Sequence, residues 1–314
     1  MAPGAAATPL PATPLLQAAA FCLIWASAFA AAKFGLADCP PLTLLALRFA
    51  LAGAFVLGAC ALAGIRLPPA RDLLVLAGLG VVNNALYLGL SFVGMQTVSS
   101  GLAAVVVSAN PVLTAAAASL LLREGFSARR AAGLALGVAG VALVVRGRLG
   151  AGLDDPAGIA FVAAACASLV LGTILFKRLA PPHDLRLGNG VQCLAGAAAL
   201  APVALLLEDQ GAIQPGPRLF GALAYLALVV SVLGFGLWYW LLDRAGAARA
   251  SALHFAMPPL GLLFGWALLD EPVPPADLLG AVPVALGVWL VTREGARAPA
   301  ARPAARSGAA TRPT

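Results

Sequence analysis

Apolar residues run along this chain in long blocks separated by short clusters of charge. A helix that crosses a bilayer needs about 20 mostly apolar residues to cover roughly 30 Å of hydrocarbon. Taking the gaps between charges as candidate crossings predicts helices at 15–36, 42–63, 73–94, 98–121, 129–146, 157–178, 187–207, 219–242, 250–269 and 276–293. The charge-free run 73–122 holds 50 residues, and as one helix it would be roughly 75 Å long. It therefore holds two spans. Their break falls at Gly94-Met95-Gln96-Thr97, where the Leu/Val run is interrupted, and Ser99-Ser100-Gly101 offers a new helix start. The pattern predicts an all-α integral membrane protein with ten transmembrane helices.

Composition agrees. Of 314 residues, 61% are hydrophobic and 11% charged, whereas about a quarter of residues carry charge in an ordinary soluble domain. The five cysteines lie almost entirely inside apolar blocks and show neither a disulfide framework nor metal-ligand spacing. A net charge of +7 would suggest nucleic acid in a soluble protein, but its placement gives a different meaning. With the N-terminus in the cytoplasm, cytoplasmic loops and the tail carry 15 Lys and Arg, the opposite side carries 4, and Arg48 lies within the second span. The basic excess thus predicts a multi-pass inner-membrane protein with both termini cytoplasmic, and nucleic acid drops out as a partner. Residues 1–14 lack the basic start of a cleaved signal, although Ala26-Ser27-Ala28 resembles a cleavage site, so the first span is kept. Residues 294–314, mostly Ala, Pro and Arg, predict a disordered cytoplasmic tail.

Sliding the chain by 147 residues superposes Ala103, Pro111, Leu121, Glu124, Gly133 and Gly140 on Ala250, Pro258, Leu268, Glu271, Gly280 and Gly287. Leucine matches are cheap in such a composition, but the equal Pro-to-Glu spacing and the paired glycines are not. The chain therefore divides into a repeat at 15–146, a linker at 147–156 and a second repeat at 157–293. Five spans per repeat, an odd number, force opposite insertion of the halves. That is the inverted-repeat plan of secondary transporters. A ten-helix scaffold or accessory subunit without transport is the alternative from another class.

Ala-Ser-Ala-Leu-His-Phe-Ala-Met-Pro-Pro-Leu (250–260) is followed by Leu-Leu-Asp-Glu-Pro (268–272). Its counterpart is Ser-Ser-Gly-Leu (99–102), Asn110-Pro111 and Leu-Leu-Arg-Glu (121–124). With Trp25-Ala-Ser27-Ala-Phe29 and Leu47-Arg48-Phe49, the chain resembles the EamA-type branch of the drug/metabolite transporter superfamily over residues 15–293. Ala26 stands where that family usually has Gly. The resemblance implies two EamA domains and an inner-membrane permease. Similar proteins export amino acids, other metabolites or toxic compounds, so it leaves the substrate open.

Residues for a midplane cavity come from polar and helix-breaking positions inside spans. Pro111 and Pro258 each remove a backbone donor near a span centre, and matched interruptions point to a transporter's site. Asn83, Asn84, Tyr87 and Ser91 form one stripe at about 100° per residue. Ser99, Asn110 and Thr114 share a face of the fourth span, Ser251, His254 and Pro258 one of the ninth, and Ser231 and Trp238 one of the eighth. Trp25 lies with Phe21 and Phe29 on the first. Each set has a packing alternative, because polar stripes also hydrogen-bond between helices and aromatic stripes also form core. Arg48 is a full charge about two turns inside a span, so it needs a carboxylate, helix carbonyls or an anionic substrate group. Asp38 is its loop-acid alternative. His254 can carry a coupling proton or sit neutral and bonded. Glu124 and Glu271 fit a boundary ion pair or a contact with the start of the next span, and the glycines of the fifth and tenth spans fit close packing between halves or protomers.

Catalytic constellations, cofactor loops and metal-ligand clusters are absent from the sequence. The expectation is a non-enzymatic, cofactor-free transporter of a small molecule, monomeric or homodimeric in the lipid bilayer. Export of amino acids or related metabolites by alternating access is the first reading, and efflux of toxic aromatic or cationic compounds the second.

Overall fold

The computed structural model describes residues 12–121, 127–245, 250 and 253–295. Its helices are α1 (Ala12–Leu36), α2 (Pro41–Leu62), α3 (Ala70–Gly94), α4 (Ser100–Leu121), α5 (Ala128–Gly150), α6 (Pro156–Leu179), α7 (Leu185–Leu207), α8 (217–245), α9 (Leu253–Leu269) and α10 (Pro275–Gly295). Among the described residues, nine helices are long and apolar enough to cross a membrane and α9 is a shorter apolar helix. The fold is thus the all-helical ten-span bundle that the charge gaps predict. One difference is α5, which continues past Arg146 to Gly150. Arg148 lies inside a buried ion-pair cluster, so its charge does not end the helix.

Helix starts explain themselves locally. Ser99, Ser127, Asp155 and Asp184 each accept a backbone N–H of the following turn, and Pro41, Pro156 and Pro217 open α2, α6 and α8 where no donor is needed.

Pairs of helices join the halves: α5 with α10, α2 with α7, α4 with α9 and α3 with α6. Along the α5–α10 seam a Cβ on Gly140 would stand 2.5 Å from the Gly280 carbonyl oxygen, and one on Gly287 would stand 2.6 Å from that of Gly133. Glycine is required there by close backbone approach. The repeat equates Gly133 with Gly280, yet Gly133 meets Gly287, the crosswise pairing that an inverted repeat produces. The glycines thus pack between the two halves.

Four helices are interrupted. In α4 the run Ser100–Ser108 ends before Ala109, and Asn110–Leu121 restarts with Pro111 as its second residue. In α9 a 3-10 turn, Leu253–Ala256, precedes Met257–Leu269, with Pro258 and Pro259 in its first turn. These prolines begin helices; they do not merely bend them. In α3 and α8 the interruption is a wide π-type stretch, Val81–Leu86 and Tyr225–Gly234. The 147-residue shift carries 81–86 onto 228–233, inside the second stretch, so both halves share the device.

One end of the bundle, bearing the turns before α2, α4, α6, α8 and α10, is closed by carboxylates. Glu208 accepts the N–H groups of Leu42 and Thr43 at 2.7 and 2.8 Å. Glu271 accepts those of Ser100 and Gly101 at 2.7 and 3.1 Å, and the Ser100 hydroxyl at 2.9 Å. Both satisfy orphan donors at a helix N-terminus, the favourable end for negative charge. For Glu271 the sequence offers a boundary ion pair or a contact with the start of the next span; instead it caps α4 of the other half, just after Asp270, which adopts a left-handed turn (φ 53°). Glu124 lies outside the described residues.

Candidate functional site

Arg48 sits about two turns inside α2, 4% exposed. Its Nε donates to the Ser231 hydroxyl at 3.0 Å, and Ser231 in turn donates to the Leu226 carbonyl at 3.0 Å. That acceptor lies five residues back, inside the wide turn of α8, where the backbone ladder is loosened. Asn189 of α7 donates to the Ser231 carbonyl at 3.0 Å. Weaker sulfur contacts lead on from Asn189 through Cys193 to Asn84 of α3, at 3.8 and 3.9 Å. A polar chain thus crosses α2, α8, α7 and α3. Among the described residues no carboxylate bonds Arg48. Asp38, its expected loop-acid alternative, is held by Arg218 through Nε at 2.6 Å and Nη2. That hydrogen bond holds the Asp38 carboxyl below its ordinary range.

The wide turn in α3 alters the stripe read at 100° per residue. Asn83 turns to α7, where its Nδ2 donates to Gln192 at 3.4 Å, while Asn84 packs against Gly196. Tyr87 is half-buried, and Ser91 is fully buried with its hydroxyl oxygen unpartnered among the described residues.

Aromatic residues of α1, α8 and α9 form a second group. Phe21 lies 5.2 Å from Trp25 and 5.3 Å from Trp238, Trp25 lies 5.1 Å from Phe235, and His254 meets the Trp238 ring edge-on at 5.3 Å. Trp25, Trp238 and His254 are therefore neighbours, and Pro258 is buried just beyond them.

The α4 residues divide. Thr114 donates to Asn110 at 3.1 Å, next to Pro111 at the restart of the helix. Ser99 is far from them, at the closed end, where its hydroxyl caps α4 and accepts Arg148 Nη1 at 2.7 Å. Ser251 lies outside the described residues.

A cavity of about 660 Å³ opens between α1, α8 and α9. Ser27 and Tyr225 share a 2.7 Å hydrogen bond on its wall. Neither these two nor Asn189 belongs to the sequence-based set, although a lone tyrosine and a lone asparagine inside apolar spans are the signals that would have included them.

Two interrupted five-helix halves around buried polar and aromatic groups define the architecture. Residues 13–146 and 156–293 each match the EamA-like transporter family. The chain belongs to the EamA-like transporter family. Its relatives share most of its length. "Uncharacterized inner membrane transporter YedA" of Escherichia coli (strain K12) is 28% identical over 273 residues, 86% of this chain and 87% of that protein. "Probable amino-acid metabolite efflux pump" of Salmonella typhimurium is 29% identical, over 85% of this chain and 91% of that one. "Probable terminal-alkyne amino-acid exporter" of Streptantibioticus cattleyicolor is 29% identical, over 90% and 95%. A solved crystal structure with 22% identity has the same fold, with a TM-score of 0.64 over 90% of this chain and 98% of that one. This EamA protein is accordingly a membrane transporter.

Proposed function

We propose that this transporter exports amino acids or related small carboxylates across the inner membrane. The carrying observation is Arg48, a buried guanidinium whose only hydrogen bond to a described residue is the neutral Ser231. A charge inside a span is costly unless it is paired. Its planar fork suits a carboxylate, which would complete the pairing only while substrate is bound. Two relatives, one named for amino-acid metabolite efflux and one for terminal-alkyne amino-acid export, support the same class. In this reading the repeats 15–146 and 157–293 rock about the Arg48–Ser231 region, and the 15-to-4 basic asymmetry supports cytoplasmic termini.

The test is counterflow of a panel of amino acids into proteoliposomes, with Arg48→Gln and Arg48→Lys. Losing a charge-assisted pair should raise KM at least about tenfold for carboxylate substrates in Arg48→Gln, with partial recovery in Arg48→Lys. An unchanged KM in a folded Arg48→Gln protein refutes the assignment.

A second reading, efflux of aromatic or cationic compounds, is favoured by the Phe21, Trp25, Phe235 and Trp238 rings, on which such compounds stack. Flux of cationic dyes with none of amino acids would select it.

A further inference from the structure

The 660 Å³ cavity between α1, α8 and α9 is distinct from the Arg48 chain and lies on the flank of the bundle. It runs along α1 from Leu23 to Phe34, and along α8 from Tyr225 back to Arg218 at the closed end. Leu23 and Leu268 on its edges are 48% and 49% exposed. Both belong to membrane-spanning helices, so what lies outside them is hydrocarbon. The walls are apolar, and the one polar pair within, Ser27 and Tyr225, satisfies itself at 2.7 Å. Such a cavity gives water too few partners to hold it. Left empty, it would forfeit dispersion contacts along its whole lining.

A second observation sets what fills it. Arg218 stands at the mouth, in the first turn of α8, with its side chain 55% exposed. Nε and Nη2 are committed to Asp38, leaving Nη1 without a described partner at a helix end, the depth of lipid phosphates. A third is Gly221, which lines the cavity one turn deeper. A Cβ there would meet nothing within 4 Å, so the space beside the helix is open at the place where a chain descending from Arg218 would pass.

We propose that this groove is a phospholipid site. One acyl chain of a lipid in the leaflet at the closed end lies between α1 and α8, and its phosphate meets Arg218. The volume is within the range of about 300–1,000 Å³ typical of small-molecule sites. The bound chain would serve as the packing partner that α1 and α8 lack along this flank.

Native mass spectrometry of the full-length protein tests it, after detergent delipidation and titration with palmitoyl-oleoyl phosphatidylglycerol. The parent should retain a tightly bound phospholipid. Gly221→Leu, whose Cβ enters open space, should fill the groove and remove that lipid while the elution profile stays that of the parent. Leu268→Trp fills it from the opposite edge and serves if the first variant does not fold. Arg218→Gln should weaken retention about tenfold. Lipid occupancy unchanged in a folded groove-filling variant overturns the proposal. So does a groove-filling variant that keeps its lipid and instead loses binding of an amino acid with an apolar side chain, since the occupant would then be substrate.

Discussion

Arg148 is the residue whose removal should cost this EamA protein most at the closed end. Its Nε donates to both Asp277 oxygens at 3.0 and 2.9 Å, Nη1 to Ser99 and Asp154 at 2.7 and 3.0 Å, and Nη2 to Asp277 and the Pro272 carbonyl at 2.5 and 3.2 Å. The side chains of Arg148, Asp154 and Asp277 are 1%, 1% and 0% exposed. Arg148→Met would leave two buried carboxylates without the guanidinium bonded to them, and breaking a buried pair costs about 3–5 kcal/mol. At about 2 °C per kcal/mol for a chain of this size, the melting temperature should fall by roughly 6–10 °C. Tryptophan-fluorescence melting in detergent measures it. Replacing Asp154 and Asp277 by Leu in the Arg148→Met background should recover much of the loss, because an apolar substitute for a whole buried cluster is often neutral. The exposed pair Asp184–Arg186, with side chains 30% and 65% exposed, provides the contrast, since Arg186→Met should cost at most about 1 kcal/mol. Equal small shifts for Arg148→Met and Arg186→Met would refute the claim that burial makes the first cluster decisive.

Other outcomes follow from the same geometry. Gly140→Val should split the α5–α10 seam and abolish monodisperse protein in size-exclusion chromatography, whereas Gly78→Ala, with open space at its Cβ, should be neutral or stabilise by up to about 1 kcal/mol. Ser91→Ala removes a buried hydroxyl with no partner among the described residues and should leave the melting temperature unchanged or raise it, while flux falls if that hydroxyl meets substrate. The Asp38 carboxyl is depressed by Arg218, so its contribution is complete above the unfolded value near about 3.9. That contribution is lost as pH falls through the lower folded value. The melting temperature of the parent should drop in that acid window more than that of Asp38→Asn.

How far the sequence carries the fold depends on the range of the signal. A span is local: twenty apolar residues announce it, and Ser99 or Pro156 marks its start, so the number and order of helices are legible. The repeat is legible too, since Pro111 with Pro258 and Gly133 with Gly280 are single residues at one fixed offset. The wide turns of α3 and α8 are not. No proline or glycine obliges the first within 81–86; it packs against α6 and α7, and the second against α1 and α2, so Asn83 and Asn84 leave the stripe of a regular helix. Partner identity is the other illegible quantity. Arg48 and Arg148 both looked like charges near or within a span, and nothing local says that one meets two aspartates while the other meets a serine. That difference is set by which turns the α5–α10 and α2–α8 pairings bring together. It is also what separates a structural arginine from one available to a substrate: Arg148 has its counter-charges supplied by the fold, and Arg48, at comparable burial, does not.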